Sequence, residues 1–329
     1  MHLAILLLFA VQFDTTFRDG LIALNRNELA AAQSKLEAAS ALHPEDARVW
    51  LALAQTYSKL GKRVDATAAA QRAEAGAKGD PVVLHTLALF YSQTGDDLRA
   101  AKMLEATIAA RPFEESYYFE LAQLHLKHED FAAALSTIDA GRKKFDRSAQ
   151  LSLAAGVACY GLRRFPEAID AFLRTIDLDP AVDQPYLFLG RMLDQAEDRL
   201  PRITAAFAAF AKRAPDDYRS TLLLGKALAV AGDPAAESTL RRSIALNSSA
   251  WESHFELGVL LARSREYEDA AREIRRAVDL NPDDPAPHYH LARVYDRLGK
   301  SAEAAAERDR HARLTAAART AGVMEPGIK

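Results

Sequence analysis

The amino-acid sequence predicts an all-α protein, an α-solenoid built from about nine helix–turn–helix units. About a fifth of its 329 residues are alanine, whereas glycine (15) and proline (13) are few. Because alanine has the highest helix propensity of all residues, this composition favours helices over sheets. Four prolines recur at multiples of 34 residues, namely Pro44, Pro112, Pro180 and Pro282. Such a fixed period is typical of a repeat protein.

A 34-residue spacing, counted from Phe13, divides the chain into nine units, each with a predicted first helix, short turn, second helix and loop. The sixth unit is one residue longer and the seventh one residue shorter, so the phase is restored at Trp251. The units are predicted to begin near residues 13, 47, 81, 115, 149, 183, 218, 251 and 285. The array then covers residues 13–314, between an apolar leader at 1–12 and the end of the last helix with a frayed tail at 315–329.

Two positions of each unit are almost always small in this register. The eighth position is glycine or alanine in all nine units, at Gly20, Ala54, Ala88, Ala122, Gly156, Gly190, Gly225, Gly258 and Ala292. The twentieth is alanine in eight units, at Ala32, Ala66, Ala100, Ala134, Ala168, Ala236, Ala270 and Ala304. Small residues let two antiparallel helices approach closely, while large apolar neighbours fix how they cross. We therefore expect the two helices of a unit to pack at these positions.

Proline and glycine mark the ends of the predicted helices. Pro81 and Pro285 fall in the first turn of first helices, and Pro166 falls where a second helix starts. Proline fits there because the first N–H groups of a helix have no intrahelical partner. Gly95 and Gly232 fall in the short turns between the two helices of a unit.

The period, the small positions and the prolines together resemble the tetratricopeptide repeat, a 34-residue helix–turn–helix unit, over residues 13–314. The resemblance implies a right-handed superhelix whose first helices line a concave, ligand-binding face. Such units gain stability mainly by stacking on their neighbours, and a terminal unit needs a polar outer face. Arg308 stands where other units have a large apolar residue, so the last helix is expected to cap the stack.

The first twelve residues, MHLAILLLFAVQ, lie outside the repeat register. Their apolar run from Leu3 to Val11 is too short to span a bilayer as a helix, but it has the length of a signal-peptide core. No lysine or arginine occurs before Arg18, so the basic start of a signal peptide is missing. Three interpretations stay open: a signal peptide, a helical extension packed on the first unit, and the start of a longer anchor. The protein is expected to be secreted or periplasmic if the leader is cleaved, and otherwise cytoplasmic.

The sequence contains no phosphate-binding glycine loop, no Gly-x-Ser-x-Gly elbow and no His-Glu-x-x-His pattern. We therefore predict no enzyme activity, no cofactor and no metal. Cys159 is expected to be a small core residue rather than a nucleophile. His125 and His128 have a spacing that could hold a metal, but we expect the first in the core and the second near a turn. His254 and His288 occupy the same position of adjacent units and could approach each other.

The family resemblance places a ligand against the second, fifth, ninth, twelfth and thirteenth positions of the first helices. The chaperone-adaptor form of the repeat binds a carboxylate with Lys at the fifth and Asn at the ninth position, and no unit has that pair. Here these positions form an apolar and aromatic stripe with basic residues toward its C-terminal half. The candidate partner-binding residues are Phe17, His85, Phe119, Gln123, Arg191, Arg219, Lys226, Phe255, Arg263, Tyr289, Arg293 and Arg297.

A second interpretation of the stripe stays open. The fifth-position residues can be ordinary inter-repeat core, and the basic residues can be paired within the protein. The acidic partners would then be Asp194, Glu252, Glu256 and Asp296.

These features predict a non-enzymatic scaffold or adaptor that binds a partner protein or extended peptide on its concave face. The alternatives are a bacterial-type cell-envelope assembly or secretion factor, and a regulatory arm or small-molecule-binding subunit of an enzyme complex. With a net charge of −3 and a pI of about 6.3, the chain lacks the basic character of a nucleic-acid binder. We expect no membrane span in the mature chain, and self-association through the terminal units stays open.

Overall fold

The computed structural model describes residues 2–320, with side chains for residues 12–319. Within these residues the chain forms eighteen α-helices and no β-strand. The helices are α1 (His2–Asn25), α2 (Leu29–Leu42), α3 (Ala47–Lys59), α4 (Arg63–Gly76), α5 (Pro81–Thr94), α6 (Asp97–Ala110), α7 (Glu115–Lys127), α8 (Phe131–Arg142), α9 (Ala149–Gly161), α10 (Phe165–Leu178), α11 (Gln184–Arg191), α12 (Leu200–Arg213), α13 (Tyr218–Ala231), α14 (Ala236–Leu246), α15 (Trp251–Arg263), α16 (Tyr267–Leu280), α17 (Pro285–Arg297) and α18 (Ser301–Thr320). Odd-numbered helices are the first helices of the units and even-numbered helices the second. The predicted all-α repeat architecture is confirmed.

The first helices begin at or beside the residues where the 34-residue spacing places the unit starts. Seven of them, from α3 to α17, begin at the expected residue, and α11 begins one residue later at Gln184. Several starts have a side chain that accepts hydrogen bonds from the otherwise unpaired N–H groups of the first turn. These capping residues are Asp46, Asp80, Ser148, Asp217 and Asp284.

The small positions are where the two helices of a unit meet. The eight alanines at the twentieth position are at most 2% exposed to solvent. Gly258 on α15 shows how close the helices come: an added Cβ would lie 2.4 Å from Ile274 Cγ1 and 3.1 Å from the carbonyl oxygen of Ala270, both on α16. A side chain at Gly258 would therefore have to push backbone as well as side-chain atoms aside.

The sixth unit departs from the regular pattern, in which every unit was expected to have a full first helix. Its first helix, α11, has only eight residues and is followed by two 3-10 turns, Leu193–Gln195 and Glu197–Arg199. Pro201 lies in the first turn of α12, where the register places the start of the second helix. Met192 and Ala196 remain buried, so the segment still packs inward.

The chain divides into two compact units after Leu162. In the first compact unit, one core connects the repeats from α1 to α7 through buried residues such as Leu53 and Leu87. In the second, a core around Leu257 and Ile274 connects α13 to α18. Each core joins consecutive repeats, as expected for units that are stable only when stacked.

The predicted leader and tail fall largely outside the described residues. The backbone of residues 2–12 continues into the first unit as part of α1, but side chains before Gln12 and all of residues 321–329 are not described. At the other end, Arg308 of α18 is exposed, and its Nη1 lies 2.8 Å from Asp296 Oδ2. In the part of the chain that is described, no helix has the length and apolar character needed to cross a membrane.

Candidate functional site

The candidate site is the face of the first helices that carries the fifth and ninth positions of the units. The fifth positions range from buried to largely exposed. Leu51 and Leu222 are buried and belong to the core, as the second interpretation of the stripe requires. Leu187 and Tyr289 are 44% and 45% exposed, so much of each side chain is open to solvent. Phe17, Phe119 and Phe255 lie between these extremes.

In the first compact unit, this face contains a small pocket between α5 and α7. The pocket has a volume of about 250 Å³, and its apolar lining includes Leu89, Leu104 and Leu124. Leu89, at the ninth position of its unit, is 43% exposed. Gln123, the ninth-position residue of the next unit, is exposed and lies at the polar rim. The pocket lining therefore combines apolar side chains with a few polar groups, which is typical of a binding site.

A contact between two adjacent repeats lies beside this pocket. His85 Nε2 lies 2.7 Å from Glu120 Oε2, and the His85 ring packs against Tyr117 with the ring centroids 4.7 Å apart. Glu120 is also part of the pocket lining. His85 is therefore engaged by the next repeat, at the edge of the pocket.

In the second compact unit, two of the predicted basic residues are held by carboxylates. Lys226 Nζ lies 2.8 Å from Glu256 Oε1, and Glu256 is one of the four acidic partners that the second interpretation names. Arg219 forms hydrogen bonds to Asp217, the residue that caps α13. Through this contact Arg219 lowers the pKa of the Asp217 carboxyl. Both cations are thus bound within the protein.

The remaining basic candidates differ from these two. Arg191, Arg263, Arg293 and Arg297 are exposed, and within residues 12–319 none of them has a carboxylate within ion-pair distance. Of these, Arg293 and Arg263 act electrostatically on one side chain, His290. Burial first, and then the charges of Arg293 and Arg263, lower the pKa of His290 to about 4.

Aromatic rings surround His290. The His290 ring contacts Phe255 edge-on with the centroids 5.2 Å apart, and it contacts Tyr289 in the same manner at 5.4 Å. The guanidinium of Arg293 lies over the Tyr289 ring at 5.6 Å from its centroid. One guanidinium and three rings from α15 and α17 therefore form a continuous series of contacts: Phe255, His290, Tyr289 and Arg293.

The histidine pairs considered from the sequence have other partners. His254 and His288 each contact a glutamate of their own repeat, at 2.7 Å from Glu273 and 2.5 Å from Glu307. Residues 12–319 show no contact between the two histidines. The hydrogen bond from His254 lowers the pKa of Glu273.

The structure also describes the other residues considered for metal binding or catalysis, His125, His128 and Cys159. His128 Nε2 lies 2.6 Å from Asp97 Oδ2, whereas His125 is half-buried. Cys159 is buried. Across the described part of the chain, no group of three or more His, Cys, Asp or Glu side chains is arranged to hold a metal ion.

Two glutamates at the sixth position of first helices form ion pairs, and only one of them, Glu256, was expected from the sequence to be such a partner. Glu120 and Glu256 both occupy this position, and each holds a basic or histidine side chain of the preceding unit. His290 occupies the same position in the last unit. The sequence signal was present in the 34-residue register, but the residue type at this position varies, so it did not stand out.

Comparison with known proteins identifies the family. The tetratricopeptide repeat matches residues 17–81, 87–140, 119–183, 234–285 and 255–319, well over half of the chain. The protein therefore belongs to the tetratricopeptide repeat family. This membership supports a role as a protein-interaction scaffold.

The chain is similar to several solved structures. The C-terminal part of a TPR repeat-containing protein from Cytophaga hutchinsonii is 13% identical with a TM-score of 0.52, over 84% of this chain and 99% of that one. A tetratricopeptide repeat protein from Parabacteroides merdae is 13% identical with a TM-score of 0.43, over 86% and 98% of the two chains. Yeast Tom70 is 15% identical with a TM-score of 0.45, over 90% and 83%. No curated protein sequence matches the chain.

Proposed function

We propose that this protein is a scaffold that binds an extended segment of a partner protein on the exposed face of its first helices. One observation carries the proposal. Large apolar side chains at the fifth and ninth positions are exposed by more than two fifths, namely Leu89, Leu187 and Tyr289. On α5, Leu87 and Tyr91 are at most 1% exposed, so Leu89 is not needed for the core of its own repeat.

The pocket beside Leu89 supports the same proposal. Its volume of about 250 Å³ suits a single side chain rather than a large cofactor. An extended segment needs several such contacts at fixed spacing, and consecutive first helices provide them once per repeat. Because the helices are already ordered by stacking, the scaffold loses little conformational entropy on binding.

Selection of peptides from a random display library on the purified chain tests this function. The dissociation constant of a selected peptide is then measured by fluorescence anisotropy for the chain and for four variants. Leu89→Glu and Tyr289→Glu change the proposed face. Val64→Glu and Leu98→Glu are matched controls, because these residues begin second helices and are 83% and 88% exposed.

We expect a first-helix variant to raise the dissociation constant about tenfold, which corresponds to ~1.4 kcal/mol for a lost apolar anchor. The two second-helix controls should leave it within about twofold. If the controls weaken binding as strongly as Leu89→Glu and Tyr289→Glu, or if no peptide is selected, the proposed function is wrong.

A further inference from the structure

Two neighbouring connections between repeats in the first compact unit are rich in cations. We call them the basic loops: residues 111–114, between α6 and α7, and residues 142–147, from the last residue of α8 toward α9. Together they contain five basic residues, namely Arg111, Arg142, Lys143, Lys144 and Arg147. They contain two acidic residues, Glu114 and Asp146, so their excess of positive charge is three, in a chain whose net charge is −3.

The cations of the basic loops are not neutralised within the protein. Among the side chains that the structure describes, no carboxylate lies within ion-pair distance of any of the five. Lys143, Lys144 and Arg147 are exposed. By contrast, Lys102 and Lys127 of the same compact unit are each held by a carboxylate, at 3.0 Å and 2.6 Å. The positive charge of the basic loops is therefore open to an external anion.

Contacts between side chains join the two basic loops into one surface. Lys144 Nζ lies over the Phe113 ring, 4.7 Å from its centroid. The Phe145 ring packs edge-on against Tyr118 with the centroids 6.0 Å apart, and the Tyr118 hydroxyl donates to the carbonyl oxygen of Pro112. Both loops are thus fixed to the start of α7, and the cations of the second loop lie beside the aromatic ring of the first.

The exposed ring indicates what kind of anion this surface fits. Phe113 is 76% exposed, which leaves an apolar ring in water next to a lysine. A membrane that contains acidic phospholipids presents both matching partners, because its charged head groups lie directly above apolar chains. Groups of four or more basic residues bind such membranes, and aromatic rings enter the head-group region. Neither basic loop lines the pocket beside Leu89, so this surface is separate from the proposed peptide site.

We propose that the basic loops bind the surface of a membrane that contains anionic phospholipids. The ring of Phe113 enters the head-group region, while Lys143, Lys144 and Arg147 contact the phosphate groups. Each cation near such a surface strengthens binding about fivefold, so the five together outweigh the two acidic residues. This attachment goes beyond the proposed function and does not depend on it, because it leaves the first-helix face of the same compact unit open to a peptide.

Sedimentation of the full chain with lipid vesicles tests the inference. The probe is a vesicle of phosphatidylcholine with about 30% phosphatidylserine, and the matched probe is phosphatidylcholine alone. We expect the partition coefficient to be at least about tenfold higher for the anionic vesicles. The difference should shrink at higher salt, because exposed charges are then screened.

Substitutions separate these loops from the charge of the whole chain. Lys143→Glu combined with Arg147→Glu should lower the partition coefficient at least about tenfold. Lys59→Glu combined with Arg63→Glu is the matched control, because both residues are exposed, flank the turn between α3 and α4 and change the net charge equally. This control should lower it by less than about threefold. Phe113→Ser leaves the charge unchanged and should lower it about threefold or more. Circular dichroism shows that each variant retains its helices.

Three outcomes would overturn the inference. Equal sedimentation with both kinds of vesicle, or with neither, would show that anionic lipid is not recognised. Equal losses for the two double variants would show that only the net charge of the chain acts. Release from the vesicles by a thymidine oligonucleotide or polyglutamate, at a lower concentration of charge than that of the lipid, would assign the surface to another polyanion. Library-selected peptides that bind the Lys143→Glu, Arg147→Glu variant normally would leave the proposed function standing in each case.

Discussion

The hydroxyl of Tyr118 donates a hydrogen bond to the carbonyl oxygen of Pro112, six residues upstream, with an oxygen–oxygen distance of 3.1 Å. The same contact recurs through the chain with different donors. The side chains that face a carbonyl oxygen six residues earlier are Trp50, Tyr118, Tyr186, Ser220, His254 and His288. In four of these the acceptor is one of the prolines that recur at multiples of 34 residues. Each contact fixes the loop between two units to the start of the next first helix.

Removal of this hydrogen bond should cost stability. Tyr118→Phe retains the buried ring and deletes only the hydroxyl, so we expect the free energy of unfolding to fall by about 1 kcal/mol. Tyr117→Phe is the matched control, because the described hydrogen bonds include none from the Tyr117 hydroxyl. Urea denaturation followed by circular dichroism measures both. Equal losses for the two variants would mean that the contact with Pro112 does not stabilise the loop.

The small eighth position should tolerate a methyl group only where the facing atoms can move. Gly258→Ala would press on the backbone of α16 and is expected to destabilise the protein by ~1–3 kcal/mol. Gly190→Ala would meet chiefly Leu223 Cδ2, the end of a flexible side chain, and should change stability by less than about 1 kcal/mol. Denaturant midpoints for the two alanine variants measure the difference. A smaller effect at Gly258 than at Gly190 would contradict the packing described for α15 and α16.

The ion pair of Lys226 with Glu256 should contribute more than an exposed pair. Its side chains are only 27% and 23% exposed, whereas those of Arg241 and Glu237 are 51% and 44% exposed. We expect Glu256→Gln to lower the free energy of unfolding by about 1 kcal/mol and Glu237→Gln to lower it by less than ~0.5 kcal/mol. Thermal and urea denaturation of the two variants provide the comparison. If Glu237→Gln is the more harmful change, burial of the Lys226 pair has no energetic role.

His290 should remain neutral well below the pH at which histidine ordinarily becomes charged. Burial and the two arginines lower its pKa from 6.5 to about 4. Because the unfolded chain then binds the proton more readily, this residue's contribution to stability is complete above pH 6.5. It is lost progressively as the pH falls from 6.5 to about 4.

An NMR titration of the His290 ring tests this directly, and His290→Gln should remove that part of the pH dependence of stability. A midpoint near 6.5 in the free protein would show that neither burial nor the two arginines lower the pKa of this ring.

The sequence predicted the helices well because they depend on features that repeat by residue type. Gly258 and Ala270 mark close helix contacts, and Pro112 marks the end of a unit, so a period of 34 residues locates the helix starts. The shortening of α11 was not foreseen, because Pro201 in the expected register only signals the start of a second helix. Pro166 and Pro234 also mark the start of second helices, and the first helices before them, α9 and α13, have thirteen and fourteen residues.

The candidate site was predictable only in part. The register places Tyr289 and Arg293 on one face of a first helix, and Glu256 was considered as an internal partner of the basic residues. What the sequence did not reveal is which cations are paired, since Lys226 and Arg293 occupy the same position in different units. The hydrogen bonds to a carbonyl oxygen six residues earlier were not predicted either. Their donors, such as Trp50, Tyr118 and His254, occupy the fourth position of a first helix but have no residue type in common.

Photo-crosslinking of a library-selected peptide tests most directly whether the first helices form the binding face. Benzoylphenylalanine is placed singly at Leu89 and Tyr289 on first helices, and at Val64 and Leu98 on second helices, all of which are exposed. We predict covalent adducts of the peptide at Leu89 or Tyr289 and none above background at Val64 and Leu98. Adducts confined to Val64 and Leu98, or equal at all four positions, would contradict binding by the first-helix face.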